Sequence, residues 1–171
     1  SQTLGKVLIS GGGRCNVTHA CFDPAQLIHF YPRGGNELRG AFTRFQPADT
    51  VKWFEEHGVR LKTESDNRMF PVTDDSNTIA NCLREAAKKA GVQVLLGTTL
   101  QRVEKNSSGR FKLEIRREAN VFPIQTKKLL IATGSDPKTR EIVKSLGHSI
   151  EEPGPSLFTF NVKDKRIDGL A

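Results

Sequence analysis

The sequence predicts an α/β fold, and three observations carry that expectation. "DDSNTIANCLREAAKKAG" has one apolar face at helical spacing and runs into the apolar stretch "VQVLLG". The chain opens on another apolar run, "KVLIS", which ends in three glycines. From Val92 onward the apolar period changes to two, the period of strands. A helix leading into an apolar strand is the repeating unit of a parallel sheet covered by helices.

The 171 residues suit one domain of ordinary size. With 36% apolar and 26% charged residues, the composition is that of a soluble globular protein, expected in the cytoplasm. No apolar run reaches the roughly 20 residues of a membrane span, and "SQTLGK" lacks the pattern of a signal peptide. The net charge of +7 admits nucleic acid or an anionic cofactor as partner. The basic residues are scattered among acids, without interleaved aromatics, which disfavours a nucleic-acid platform. Cys15, Cys21 and Cys82 are too few for a disulfide scaffold and fit a reducing compartment. Cys15, His19, Cys21 and His29 match no usual zinc spacing, so no metal is expected. "NVT" and "NSS" fit the glycosylation pattern, but nothing else suggests secretion.

Taken in order, "GKVLIS" reads as a short buried strand. In "CFDPAQLIHFYP", Asp23 caps a helix with Pro24 at its first position. "GGNELRGAFTRFQ" predicts a short helix, and "PADTVKWFEEHG" a clearer one, started by Pro47 and stopped by Gly58. "VRLKTE" and "RMFPV" form a pair of short strands. The next helix is the best defined. Ile79, Cys82, Leu83, Ala86, Ala87 and Ala90 share a face, acids and Ser76 cap its start, and Lys88, Lys89 and Gly91 close it. "VQVLLG", "TLQRVEKN", "RFKLEIRRE" and "VFPIQTKKLLIAT" read as strands. The excursion over residues 99–126 is expected to be a β-meander inserted between "VQVLLG" and "KLLIATG" as neighbouring parallel strands. "TREIVKSLG" is the last helix.

"SGGGRCN" is the first candidate site. A dinucleotide fingerprint needs G-x-G-x-x-G with a helix opening at once. In the frame starting at Gly11 the third glycine is Asn16, and the next helix begins only near Asp23. A P-loop fails as well, since no Gly-Lys-Ser/Thr follows.

"KVLISGGGRCNVT" nevertheless closely resembles a motif of the HI0933-like flavoproteins, also called the BaiN-like family of NAD(P)/FAD-dependent oxidoreductases. "NRMFPVTDDSNTIANCLREAAKKAGVQV", "LLIATG" and "SLGHSIEEPGPSLFTF" extend the resemblance over nearly the whole chain. It implies a central fragment of a glutathione-reductase-like FAD-binding Rossmann domain with the meander inserted. Residues 1–157 would form that domain without its first strand-loop-helix, and residues 158–171 would begin the family's inserted β domain. The implied activity is flavin-mediated hydride transfer to a small-molecule substrate, with NAD(P)H as a candidate electron donor. Further segments of the same polypeptide would complete the site.

The resemblance implies that Gly11, Gly12, Gly13, Arg14, Cys15 and Asn16 form a cofactor loop, expected to lie exposed at a sheet edge. Arg14 either supports a phosphate or holds the loop; Asn16 can hydrogen-bond a ring edge. Cys15 reads as a packed loop thiol rather than a nucleophile. Leu100 offers backbone contacts to adenine, or is a plain core residue of the meander. Ala132, Thr133 and Gly134 make a small-residue turn past the cofactor. Two departures stand out: Asn67 where the family implies glycine, and no second glycine after Gly134, which weighs against a contact at Ser135. Without the first fingerprint, the chain by itself is expected to bind FAD weakly or not at all. The competing functions are a binding module that has lost the cofactor and a basic nucleic-acid-binding domain.

Overall fold

A computed structural model describes residues 3–134 and 136–154. Two compact units divide the chain, Ser1–Leu96 and Gly97–Ala171. The molecule is α/β, with one small sheet in each unit.

The first unit opens with helix α1 (Gly5–Ile9), where the sequence predicts a strand. A strand requires a neighbour to pair with, and no described strand runs beside Val7 and Leu8. The helical turn satisfies its polar groups locally instead, with the Leu8 N–H donating to the Leu4 carbonyl at 3.0 Å. Strand β1 (Thr18–His19) follows, too short to leave an alternating pattern. Helix α2 (Pro24–Leu27) starts as expected: the Asp23 carboxylate accepts from the Ala25 N–H at 2.8 Å, and Pro24 takes the first position. Helices α3 (Gly35–Phe42) and α4 (Pro47–Glu56) come next. The Gln46 N–H donates to Asp49 Oδ2 at 2.8 Å at the start of α4, and Gly58 turns the chain with φ +80° beyond its end.

Strands β2 (Leu61–Thr63) and β3 (Arg68–Pro71) pair antiparallel, and β1 pairs antiparallel with the other side of β3. The sheet order is β1-β3-β2. Asn67 in the β2–β3 turn has φ +65°, the left-handed region that asparagine tolerates better than most non-glycine residues. That accounts for asparagine at a position where glycine is expected. Helix α5 (Ser76–Lys89) is capped by Asp75, which accepts from the Asn77 N–H at 2.8 Å. Its inward residues follow the predicted stripe at Ile79, Cys82 and Leu83, whereas Ala80, outside that stripe, is fully buried and Ala90, placed in it, is exposed. The core joins Cys15, Phe54, Val59 and Ile79, with Val7, Val17 and Trp53 packed against them.

In the second unit, strands β4 (Thr98–Lys105), β5 (Phe111–Arg117) and β6 (Asn120–Thr126) form an antiparallel meander in that order. Gly109 (φ +76°) and Glu118 (φ +56°) lie in its two turns. Helix α6 (Pro137–Ser145) begins at Asp136, whose carboxylate accepts from the Thr139 N–H at 2.9 Å and hydroxyl at 2.6 Å. Val103, Leu113, Ile115 and Ile142 make the core. Burying Ile142 stabilises the packing by about 2 kcal/mol.

The predicted parallel pair is not found. Residues 92–96 and 127–134 lie outside helix and strand, and both observed sheets are antiparallel. "VQVLLG" and "KLLIATG" have the composition of buried strands, but neither has a ladder partner among the described residues; Leu129 packs on the meander core, while several of their other apolar side chains are exposed. Val92, Val94, Leu95 and Leu96 are all exposed, and Leu130 is 89% exposed. The expected start of a second domain at residues 158–171 lies outside the described residues, as does Ser135.

Candidate cofactor loop

The candidate residues fall in both units: residues 11–16 in the first, Leu100 and residues 132–134 in the second.

After α1 the chain makes a tight turn through Gly11 (φ +56°), Gly12 (φ +67°) and Gly13 (φ +82°). Three successive left-handed residues cost an ordinary L-residue about 1–2 kcal/mol each. Glycine avoids that cost, so the triple glycine follows from the backbone path. The Cys15 N–H closes the turn on the Ser10 carbonyl at 3.0 Å, and the Ser10 hydroxyl donates to the Val7 carbonyl at 3.0 Å. From the other side, the Ser76 hydroxyl at the start of α5 donates to the Leu8 carbonyl at 2.8 Å.

The glycines differ in surroundings. A Cβ on Gly11 would stand 2.8 Å from the Phe70 ring and 2.9 Å from the Asn16 nitrogen. Gly12 and Gly13 meet nothing within 4 Å and are exposed. The close backbone approach that a cofactor needs is therefore open at Gly12 and Gly13, whereas Gly11 serves internal packing. Of the loop expected to be exposed, Gly12, Gly13 and Asn16 are exposed, Gly11 and Arg14 are half-buried and Cys15 is buried.

Arg14 holds the loop. Its Nη1 lies 2.5 Å from Glu64 Oε1 and 3.6 Å from Asp74 Oδ1, and its guanidinium sits 4.1 Å over the centre of the fully buried Phe70 ring. The hydrogen bond to Glu64 raises the pKa of Arg14 further, so it stays charged throughout. Lys62 bonds Asp74 at 2.5 Å, and Arg68 bonds Asp66 at 2.6 Å. The Lys62 hydrogen bond, with Arg14 nearby, pulls the Asp74 pKa down. The Asp66 pKa is lowered chiefly by the Arg68 N–H. Each cation in this cluster is matched by acids.

Cys15 also has a positive φ, +64°, and is buried in the core against Phe54, Val59 and Ile79, as expected of a packed thiol. Asn16 is exposed. The chain beyond it is pinned to β3 by the Val17 N–H on the Met69 carbonyl and the Ala20 N–H on the Asn67 carbonyl, both 2.8 Å. Glu64, Phe70 and Asp74 are the residues that sequence reading missed. The charged pattern around "RMFP" is visible, but its partner at Arg14 is set by tertiary folding.

In the second unit, Leu100 pairs with Ile115 across β4 and β5, next to a bulge, and its side chain packs on the meander core. Ala132, Thr133 and Gly134 are exposed and lie outside helix and strand, with Gly134 at φ +68°. They lead toward the capped start of α6.

The structure is thus mixed α/β, with two small antiparallel sheets and a left-handed glycine turn after α1. The chain is a member of the HI0933-like protein Rossmann domain family, matched over residues 1–159. It is 26% identical to a ribosomal RNA dihydrouridine synthase of Haemophilus influenzae over 97% of the chain and 43% of that protein. It is 29% identical to the Escherichia coli protein of the same name over 75% of the chain and 30% of that protein. A 3-dehydro-bile acid delta(4,6)-reductase of Clostridium scindens is 22% identical over 92% of the chain and 38% of that protein. The chain thus spans less than half the length of each of these relatives. Among the described residues no helix is long and apolar enough to cross a membrane.

Proposed function

We propose that the chain is part of the FAD-binding Rossmann domain of a flavin-dependent oxidoreductase. The carrying observation is family membership across residues 1–159, with relatives named as a dihydrouridine synthase and a bile acid reductase. Bound FAD would supply the hydride-carrying centre, and the protein its binding and orientation. The residues here fit that group in part. Gly12 and Gly13 present open backbone, and Asn16 presents an exposed amide. Arg14 is committed to Glu64 and Asp74, so its task is to fix the turn rather than neutralise a phosphate. Within the second unit, the backbone at Leu100 and at residues 132–134 is proposed for cofactor contact as well. Remaining contacts, substrate residues and an NAD(P)H donor site are assigned to other segments of the polypeptide.

The test is FAD titration, read by flavin fluorescence quenching, on this 171-residue chain and on the longest reading frame that contains it. Retention of flavin by the longer polypeptide, with binding at least a hundredfold weaker in the chain alone, is the expected result, since affinity for a large ligand depends on the full set of contacts. A longer polypeptide that neither carries nor binds flavin would overturn the reading.

A further inference from the structure

Gly12 and Gly13 have no side chains, and nothing lies within 4 Å of where one would stand. They are held through the two ends of their turn, Gly11 and Arg14, and both ends rest on the β2–β3 hairpin. The Phe70 ring, fully buried, lies 4.1 Å beneath the Arg14 guanidinium and 2.8 Å from where a Cβ on Gly11 would stand. One ring thus supports both ends.

The carboxylates that hold Arg14 are themselves fixed by backbone. Glu64 is 50 positions from Arg14 in the sequence and accepts from its Nη1 at 2.5 Å. The Glu64 N–H donates to the Arg68 carbonyl at 2.8 Å, and the Glu64 carbonyl accepts from the Asn67 N–H at 2.9 Å. Its other carboxylate oxygen, Oε2, lies 3.7 Å from Arg68 Nη2. Asp74 is tied down in the same way. Its N–H donates to the Pro71 carbonyl at 3.0 Å, and Lys62 bonds its Oδ2, leaving Oδ1 3.6 Å from Arg14. Arg14, Lys62 and Arg68 face Glu64, Asp66 and Asp74, so the cluster balances its charge and acts by geometry.

Glycine loses more conformational freedom on being fixed than any other residue. A loose pair of glycines would lose that freedom on binding and weaken the complex; a pair already fixed does not. We propose that Glu64 is a positioning residue for cofactor binding: through Arg14, with Phe70 and Asp74 as supports, it pre-sets the left-handed turn that presents Gly12 and Gly13. The inference rests on the flavoprotein reading and adds to it a determinant of affinity that lies on the hairpin, outside the glycine loop.

The experiment measures FAD affinity, by flavin fluorescence quenching, in the longest polypeptide that contains the chain, and amide exchange at residues 11–16 in the same protein without FAD. Glu64→Leu should weaken FAD binding about tenfold and speed that exchange about tenfold, with exchange in α5 unchanged as the check on folding. Glu64→Gln keeps an acceptor oxygen at the same reach and should bind within about threefold of the parent. Glu64→Asp keeps the charge but is one methylene short of Arg14, so it should bind more weakly than Glu64→Gln; it carries the test if Glu64→Leu does not fold. Arg14→Met should match Glu64→Leu, and the double variant should be no weaker than either, because both act through one contact. Asp66→Asn, in the same hairpin but bonded to Arg68, should leave affinity unchanged. Parent-like affinity in Glu64→Leu, additive losses in the double variant, or Glu64→Gln as weak as Glu64→Leu would each refute the role. Faster exchange at residues 11–16 with unchanged flavin affinity defeats this inference alone. A parent polypeptide that binds no flavin defeats the flavoprotein reading and this inference with it.

Discussion

Two turns in this molecule share a reading from sequence: an apolar run passing into small residues beside a cofactor. Their surroundings differ. The turn at Gly11, Gly12 and Gly13 is clamped by Arg14 on Glu64, Asp74 and Phe70, by Cys15 in the core, and by hydrogen bonds to β3. The turn at Ala132, Thr133 and Gly134 is exposed, and the apolar run before it pairs with no described strand. A small-residue turn is therefore ordered by what closes around it, and glycine content alone does not say which case applies.

Substitution at the two turns tests that contrast most severely. Gly11→Val puts a branched side chain into Phe70 at a left-handed φ, and should destabilise by about 3 kcal/mol. Gly134→Ala places a Cβ at a left-handed φ in an exposed turn and should cost less, about 1 kcal/mol. Urea unfolding of the two variants compares them, and equal losses would break the distinction.

Arg14→Met sharpens the contrast by removing the clamp while keeping the glycines. The guanidinium is about a third exposed, at 34%, so screening reduces its electrostatic share and a small loss of stability is expected. The effect should appear in amide exchange at residues 11–16 and be absent at residues 132–134.

A smaller effect comes from pH. The folded-state pKa of Asp74 lies below its ordinary value, chiefly through the Lys62 hydrogen bond. The unfolded chain therefore binds this proton first as pH falls. The contribution is full above the ordinary carboxylate range and fades as pH drops through the depressed value, below about pH 4. Asp74→Asn should flatten that part of the stability profile. A carboxyl carbon of Asp74 titrating in the ordinary range by NMR would contradict the contact. Thr133→Val, in the unclamped turn, should shift stability by no more than about 0.5 kcal/mol.

What could be read in the sequence follows the reach of each signal. The stripe of α5 and its caps at Asp75 and Gly91 are local, and the helix lies where they put it. The β2–β3 pair and the meander announce themselves by alternation and turn residues. Strand β1 is only two residues long and has no period to detect. "GKVLI" shows the ambiguity of a short apolar run, which suits a strand or a buried helix equally until its neighbours are known. "VQVLLG" and "KLLIATG" fail for the same reason, since a ladder needs two strands. At the site, Arg14 had two readings. Only the approach of Glu64 and Asp74, distant in the chain, decides between them. Asn67 is the converse: an apparent departure from the family that its φ of +65° makes equivalent.

The stretch at residues 92–97, outside helix and strand, bears on how the chain meets a protease. It carries exposed leucines at 95 and 96, outside helix and strand, where one compact unit gives way to the next. Proteases need extended backbone they can draw into a cleft, and chymotrypsin accepts leucine. Brief digestion should therefore cut here before it cuts the meander or α5, releasing two fragments whose boundary falls at Leu96 and Gly97.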